Sequence, residues 1–227
     1  PSDLPHLLKF NVTLKHIAEE LGLSVMTVSR AINNRGSISS NTRQKVMEKA
    51  QSLGYSPNLV AKSLVSSKTY TIGVVVPEIS HSFFPQVIRG IEEILQERDY
   101  QLILAHSSES PEKEKKMIET LLSKRVDGLL VSCSQETHDI GYFNNLAEGS
   151  TPLVFFDRCI DEVSVSSVSV NDHSASKRIT EHLIGLGYKK IAHLSGSNAV
   201  SVGRKRYSGF MEALTEAGLS FKEEWLF

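Results

Sequence analysis

Residues 14–33 read LKHIAEELGLSVMTVSRAIN, two short amphipathic stretches separated by a glycine. In the first stretch the apolar residues recur at the helical spacing i, i+3, i+4 and i+7: Leu14, Ile17, Ala18 and Leu21. Thr13 can cap this helix, Gly22 suits the left-handed turn that ends it, and Ser24 can cap a second helix running to about Asn33. The pattern predicts two helices joined by a tight turn.

Three small or apolar residues in this stretch have the spacing of a helix-turn-helix. Ala18 lets the two helices approach, Gly22 makes the turn, and Val28 fills the contact between them. Such packing leaves the first turn of the second helix projecting outward, where it can enter a major groove. A helical hairpin without a ligand is the alternative. Ser39 opens a predicted third helix, and Pro57 closes it.

Charge is distributed unevenly along the chain. Residues 1–69 carry nine Lys or Arg against four Asp or Glu, a net charge of +5. Residues 70–227 carry sixteen against twenty-two, a net charge of −6. A basic head on an acidic body indicates that the head, and not the body, binds a polyanion.

The body alternates short apolar runs with amphipathic stretches. The runs are YTIGVVV, YQLILA, DGLLVS, TPLVFF and KKIAHLSG. Strands that alternate with helices of this length predict a parallel sheet with helices on both faces. Ligands of such a sheet bind beyond the carboxyl ends of its strands. The segments expected there are residues 77–84, 132–136, 157–161, 171–173 and 196–206.

Several function classes lack their motifs in this sequence. No G-x-G-x-x-G follows the first predicted strand, and Walker A and G-x-S-x-G patterns are missing. Cys133, near His138, could suggest a thiol nucleophile, but a buried structural cysteine is the favoured interpretation. His and Cys do not recur at metal-ligand spacing. We therefore expect no catalytic residues, no metal site and no cofactor.

The composition favours a cytoplasmic protein. Two cysteines form no disulfide framework, which suits a reducing compartment. Residues 1–23 do not have the pattern of a secretory signal peptide, and no apolar run approaches the length of a membrane span. We expect no membrane partner.

The order of motifs resembles that of the LacI/GalR family of bacterial transcriptional regulators. VTLKHIAEELGLSVMTVSRAINN, SISSNTRQKV, AQSLGYSPN and LVAKSLVSSKTYTIGVVVP carry the resemblance at the amino end. FFPQVIRGIEE, KRVDGLLVS, FFDR and GRKRYSGFMEAL continue it through the body. The resemblance implies a small all-α helix-turn-helix headpiece followed by an α/β parallel-sheet effector domain of the periplasmic-binding-protein type.

The resemblance also implies where the domains lie. The headpiece would span residues 1–56, a hinge helix or linker residues 57–69, and the effector-binding and dimerisation domain residues 70–227. The last comprises an N-subdomain of about residues 70–170 and a partial C-subdomain of about residues 171–227. Members of the family are roughly half as long again, so the effector domain is expected to be incomplete at its carboxyl end.

Base-reading positions of the family match Val25, Met26 and Arg30. The two apolar side chains suit thymine methyl groups, and a guanidinium suits guanine, so we expect a T-rich contact beside a guanine in each half-site. Hydroxyl and amide groups complete the predicted DNA-binding set of the headpiece, where they suit phosphate contacts or helix caps: Thr13, Ser24, Thr27, Ser29 and Asn33.

The segment NLVAKSL, residues 58–64, resembles the family's hinge helix, which forms on operator DNA as two subunits come together. Leu64 matches the leucine that wedges into the minor groove, Ala61 allows close approach, and Asn58 joins the same set. An interdomain linker is the alternative interpretation.

Effector-binding positions of the family match Phe83 and Phe84 after the first strand, Asp157 and Arg158 after PLVFF, and Arg206. Aromatic faces, a carboxylate and an arginine are the usual composition of a sugar site. Phe84 could equally belong to the core, and Asp157 could cap a helix or bond a hinge.

The expected function is that of a repressor that binds a pseudo-palindromic operator as a homodimer, under the control of a small-molecule effector, a sugar or related metabolite. Two alternatives belong to other classes. A solute-binding protein would require export, and a nucleotide-dependent α/β enzyme would require a phosphate-binding loop.

Overall fold

The computed structural model of the chain describes residues 12–56, 68–80, 82–197 and 200–227. The chain divides into two units, residues 1–62 and residues 63–227. Within the described residues, no helix has the length and apolar character needed to cross a membrane.

The first unit contains the three helices that the sequence predicts. Ser24 and Ser39 each accept a hydrogen bond from the backbone N–H three residues ahead, at 3.1 Å, and so begin α2 and α3. Gly22 ends α1 with a φ of +64°, which a residue bearing a β-carbon adopts only with strain. The helices are α1 (Leu14–Leu21), α2 (Val25–Ile32) and α3 (Ser40–Ser52).

The core of this unit lies where the three helices meet. Ala18 and Val28 are both buried at the contact of α1 with α2, as the helix-turn-helix spacing predicts. Helix α3 closes the core from the third side with Val46 and Ala50. The remaining buried members are Ile17 and Ala31.

The second unit is built on a parallel sheet of five strands in the order β2-β1-β3-β4-β5. In its centre Val75 is level with Val131, and Val131 is level with Phe155. The carboxyl ends of these strands therefore meet along one edge. The strands are β1 (Thr71–Val76), β2 (Gln101–His106), β3 (Gly128–Val131), β4 (Leu153–Phe156) and β5 (Ser166–Val168).

Helices cover both faces of the sheet, as predicted. Along β1, Val74 and Val76 pack against α4, whereas Val75 faces the other way and packs against α5 and α6. Ser110 caps α5, with its hydroxyl accepting from the Lys113 N–H at 3.2 Å. The helices of this unit are α4 (Phe83–Gln96), α5 (Pro111–Ser123), α6 (Ile140–Ala147), α7 (Asp172–Gly185), α8 (Ser201–Glu216) and a 3₁₀ turn (Glu223–Trp225).

Helices α7 and α8 form a closely packed pair with an apolar cluster of their own. A β-carbon at Gly209 would overlap the carbonyl oxygen of His173, so glycine permits the close approach of the two backbones. Lys177 and His173 on α7 pair with Glu212 on α8. The cluster beneath contains Ile191, Phe210 and Leu214.

The prediction that KKIAHLSG forms a strand of the sheet is wrong. Among the described residues it forms only an isolated parallel bridge, His193 to Leu226. The His193 N–H donates to the Trp225 carbonyl at 2.9 Å, and the Phe227 N–H donates to the His193 carbonyl at 3.0 Å.

Strand β5 and helix α6 are among the elements that were not predicted from the sequence. Strand β5 lies in VSVSSVSV, where serines interrupt the apolar run, and all three of its residues are exposed. Helix α6 buries only Phe143 and Leu146, too few apolar positions to give a clear helical period.

Candidate nucleic-acid interface and ligand cleft

Helix α2 has one buried face and one exposed face. Val28 and Ala31 are buried in the head, whereas Val25 and Met26 are 45% and 63% exposed. Large apolar side chains so exposed at the start of a capped helix are not explained by packing. Helical spacing places the half-exposed Ser29 and the exposed Val25, Met26 and Arg30 along a single face, which ends at the C-cap Asn33.

Arg30 extends this face by one turn. Its Cδ lies 3.6 Å from where a β-carbon would be at Gly36, so the loop after α2 supports its aliphatic stem. The Arg30 carbonyl accepts from the Arg35 N–H at 2.9 Å, which fixes that loop. Within residues 12–56, no carboxylate forms an ion pair with the Arg30 guanidinium. Its charge therefore remains available for a ligand.

The predicted hydroxyl and amide groups of the head make local bonds. The Ser24 and Thr27 hydroxyls are 2.9 Å apart, and the Asn33 amide donates to the Ser29 carbonyl at 2.9 Å. Thr13, ahead of α1, donates its backbone N–H to His16 Nδ1 at 3.2 Å. All of these except the half-exposed Thr27 and Ser29 are exposed. The predicted hinge residues Asn58, Ala61 and Leu64 lie outside the described residues and stay predictions.

At the carboxyl edge of the sheet, a buried carboxylate holds the loop after β3. Glu114, on α5, is only 1% exposed. It accepts hydrogen bonds from the Ser134 N–H at 2.6 Å, the Ser134 hydroxyl at 2.9 Å and the Thr137 hydroxyl at 2.8 Å. Burial raises the pKa of Glu114, although these three bonds oppose the shift.

A second carboxylate joins the loops after β2, β3 and β4. Both oxygens of Glu109 accept from Nη1 of Arg158, at 2.8 and 3.0 Å. One of them also accepts from the Gln135 N–H at 2.9 Å. The predicted effector residue Arg158 therefore forms an ion pair within the protein, and Glu109 balances its charge.

Asp157 and Arg206 lie on the other side of this edge. The Arg206 Nε donates to Asp172 at 2.8 Å, and the Arg206 side chain is 59% exposed whereas that of Asp172 is 6% exposed. Asp157 has a φ of +57°, an uncommon conformation that turns the chain sharply after β4. Burial raises the pKa of Asp157; the charge of Asp172 adds to the shift, and Arg158 and Arg206 oppose it. Asp172 thus binds the exposed Arg206 guanidinium, whereas Asp157 lies 4.0 Å from Nε of Arg158.

The two predicted aromatic residues have different environments. Phe84 is buried, and its ring packs edge-on to Phe156 in the cluster under α4. Phe83 is exposed and meets Phe84 edge-on, with ring centroids 5.2 Å apart. Phe83 is therefore the ring whose face can meet a ligand.

Sequence reasoning missed Glu109 and Glu114 at this edge, and it included Ser132 only as part of the segment 132–136. The Ser132 hydroxyl is fully buried and has no hydrogen-bond partner among the described residues. Its position directly after β3 is the signal that placed it in that segment. The partners of the two glutamates are distant in sequence, so no local pattern indicates their roles.

A small cleft of about 110 Å³ opens beside these loops. Its lining residues include His138, Glu162 and Arg204 together with both cysteines. Cys133 and Cys159 are buried, unlinked thiols, and burial raises the pKa of each, which makes them poor nucleophiles. The described residues contain no group of three or more His, Cys, Asp or Glu side chains arranged to hold a metal ion.

Two family models match the chain. Residues 13–58 match the bacterial regulatory proteins of the lacI family. Residues 69–227 match the periplasmic binding proteins and sugar binding domain of the LacI family.

Curated relatives and solved structures agree with these matches. Catabolite control protein A of Priestia megaterium is 34% identical over 95% of this chain and 65% of its own length. The HTH-type transcriptional repressor PurR of Mannheimia succiniciproducens is also 34% identical, over 95% of this chain and 64% of its own.

The crystal structure of the lac repressor dimer bound to operator and the anti-inducer ONPF superposes with a TM-score of 0.81 at 27% identity. The match covers 92% of this chain and 63% of that structure's chain. The chain thus spans about 65% of the length of the curated relatives it matches, which are named as regulators of transcription or catabolite control. It belongs to the lacI family of bacterial regulatory proteins.

Proposed function

We propose that the chain is part of a sequence-specific transcriptional repressor, without enzymatic activity, that works in the cytoplasm. It would bind a pseudo-palindromic operator as a homodimer, under the control of a small-molecule effector. The observation that carries the proposal is the exposed face of α2, where Val25 and Met26 stand beside Arg30. The family match of residues 13–58 supports the same reading of the head.

The chemistry of this face favours a DNA major groove over a protein surface. Apolar side chains can contact thymine methyl groups, and a guanidinium can donate two hydrogen bonds to guanine. The hydroxyl and amide groups around them, Ser24, Thr27 and Asn33, can contact phosphates and so fix the register. Half-sites with a T-rich contact beside a guanine are therefore expected.

The chemistry of the predicted effector residues favours a neutral, polyhydroxylated effector. Arg158 is balanced by Glu109, and Arg206 is balanced by Asp172 with Asp157 nearby, so no excess positive charge attracts an anion. Exposed Phe83 offers a ring for stacking, and the carboxylates accept hydrogen bonds from hydroxyl groups. A sugar satisfies both requirements.

Selection of duplexes tests the proposal. The chain is mixed with a pool of random duplexes, bound DNA is recovered by gel shift, and the enriched sequences are read after several rounds. We expect enrichment of an inverted repeat whose half-sites pair thymines with a guanine. Failure to enrich any palindromic site would refute DNA recognition. A site lacking thymine and guanine at the contacted positions would refute the assigned roles of Val25, Met26 and Arg30.

Replacement of Arg30 by Ala separates base reading from phosphate binding. The variant should lose about 1–3 kcal/mol of discrimination at one base pair of each half-site, because the bidentate contact to guanine is removed. Lys15→Ala is the matched control, because it also removes one positive charge from the head. The Lys15 side chain is 75% exposed, and it belongs to α1 and not to the α2 face. Affinities for the selected duplex and its single-base variants are compared. A uniform loss across all bases would show that Arg30 contacts phosphate instead.

A further inference from the structure

Where the chain enters the sheet, the Asp127 carboxylate at the amino end of β3 binds Thr69 and Tyr70. We call this arrangement the carboxylate clamp. Asp127 accepts from the Thr69 N–H at 2.8 Å and the Thr69 hydroxyl at 3.0 Å with one oxygen, and from the Tyr70 N–H at 2.9 Å with the other. The Thr69 hydroxyl also lies 2.8 Å from the Arg125 carbonyl. Both carboxylate oxygens therefore hold two consecutive residues of the incoming chain.

Aromatic rings close the clamp from one side. The Tyr70 and Tyr100 rings are 5.5 Å apart, and Tyr100 contributes to the lowered pKa of Asp127. Burial would raise the pKa of Asp127, but the hydrogen bonds from Thr69, Tyr70 and Tyr100 outweigh it and hold that pKa below its usual range. Tyr70 adopts a φ of +53°, a strained conformation that persists because its surroundings fix it.

The same clamp is bonded into three strands. The Tyr70 carbonyl accepts from the Gln101 N–H at 2.8 Å, at the start of β2, and the Thr71 carbonyl accepts from the Asp127 N–H at 2.7 Å. The direction of the chain at residues 69 and 70 is thus set by the sheet.

Strand β3 connects this clamp to the small cleft, whose lining includes Cys133 and Ser134 just beyond the strand. Asp127 precedes Gly128 at one end of the strand, and Ser132 with its unpartnered buried hydroxyl follows Val131 at the other. At about 3.3 Å per residue the two side chains are roughly 16 Å apart. A ligand that moves the loop after β3 acts on the same short strand that carries Asp127.

We propose that Asp127 is a positioning residue: it fixes the direction in which the chain leaves the sheet toward the predicted hinge, residues 57–69. It thereby sets the geometry on which operator affinity depends. This inference rests on the proposed function for its effect on DNA, whereas its effect on the chain at residues 68–70 is independent of DNA.

Asp127→Asn is the sharpest variant, because it keeps the shape of the side chain but replaces one acceptor oxygen by an amide donor. That donor would face the N–H of Thr69 or of Tyr70, so one of these bonds is lost. Asp99→Asn is the matched control, since Asp99 is exposed before β2 and its φ of +57° suits asparagine.

The direct readout is cleavage by trypsin after Lys68 in the native chain. The scissile peptide contains the Thr69 N–H that Asp127 holds, so cleavage requires release of the clamp. Cleavage there should be about tenfold faster in Asp127→Asn, the factor expected from losing one hydrogen bond to a charged group. Cleavage after Lys189 and Lys190, exposed in the same unit, should not change.

The functional readout is affinity for the duplex that the unsubstituted chain selects. Asp127→Asn should bind it about tenfold more weakly, because the bound state then lacks one hydrogen bond that holds the chain at residues 69 and 70. Asp99→Asn should match the unsubstituted chain in both readouts.

An unchanged cleavage rate after Lys68 would overturn the inference, because Asp127 would then not hold the chain there. An equal rise after Lys68, Lys189 and Lys190 would instead make Asp127 a general stabiliser of the fold. Faster cleavage after Lys68 with unchanged affinity for the duplex would refute the proposed effect of Asp127 on DNA binding. If the unsubstituted chain selects no duplex, the proposed function fails, but the cleavage comparison still decides whether Asp127 holds the chain.

Discussion

At the scale of single residues, Glu114 shows how one buried side chain can hold a loop that lines the small cleft. An ionised carboxylate is costly to bury, and Glu114 offsets part of that cost with three donors from Ser134 and Thr137. The donors belong to the loop after β3, on which the cleft depends. Its role is therefore to hold a loop and not to contact ligand.

Replacing Glu114 by Gln should change the free energy of unfolding by less than about 1 kcal/mol, whereas Ala should cost about 3 kcal/mol. The Gln oxygen can accept from both Ser134 donors, and its amide can donate to the Thr137 hydroxyl, which also accepts. Ala leaves all three groups unpaired. Urea unfolding followed by the fluorescence of Trp225, the single tryptophan, measures both variants.

The same pair of variants gives a pH dependence of defined sign. Because folding raises the pKa of Glu114, the native state holds this proton more tightly than the unfolded state does. The stability of the unsubstituted chain relative to Glu114→Gln is thus highest below the ordinary pKa of 4.5 and declines as pH rises through the native value. A difference that is constant from pH 4 to pH 8 would contradict the raised pKa.

At the scale of elements, the α7–α8 pair depends on one glycine. A β-carbon at Gly209 would overlap the His173 carbonyl and lie 3.0 Å from the Lys177 nitrogen. Both are backbone atoms, so neither can rotate away, and the helices would have to separate. Arg206 lies on the same helix, so its bond to Asp172 would be strained as well.

Gly209→Ala should therefore lower the free energy of unfolding by about 1–3 kcal/mol through overpacking, despite the better helix propensity of alanine. Gly90→Ala is the control: Gly90 lies inside α4 with open space around it, so alanine should stabilise by roughly 0.5–1 kcal/mol. Thermal unfolding of both variants measures the contrast. Equal midpoints for the two would refute the close helix approach.

At the scale of the whole molecule, the uneven charge should govern how binding responds to salt. Residues 1–69 carry a net charge of +5 and residues 70–227 a net charge of −6. Cations that neutralise phosphates release counterions, so the logarithm of the association constant should fall linearly with the logarithm of salt concentration, with a slope of about −0.9 per phosphate contact. Titrations between about 50 and 200 mM salt measure the slope. A slope near zero would contradict a phosphate-contacting head.

The fold was largely predictable from the sequence because its signals are local. Ser24, Ser39 and Ser110 cap helices within three residues, and apolar runs of four to six residues make β1 to β4. Strand β5 was not predicted because it has no continuous apolar run of its own. Only its pairing with β4 identifies it as a strand.

The candidate site was less predictable, because its bonds join residues far apart in sequence. Arg158 was identified by resemblance, but its partner Glu109 is 49 positions away and was not. Phe83 and Phe84 are adjacent and chemically identical, and only the packing of α4 on the sheet distinguishes the exposed ring from the buried one.

The two faces of α2 also bear on how such a regulator can change over evolutionary time. Val28 and Ala31 hold the head together, whereas Val25 and Met26 contribute almost nothing to its core. Substitutions at the exposed pair carry little penalty in folding. A duplicated gene could therefore acquire a new operator through one or two changes on this face while its product stays folded. Divergence of target sequence is in this way separated from the risk of losing the protein.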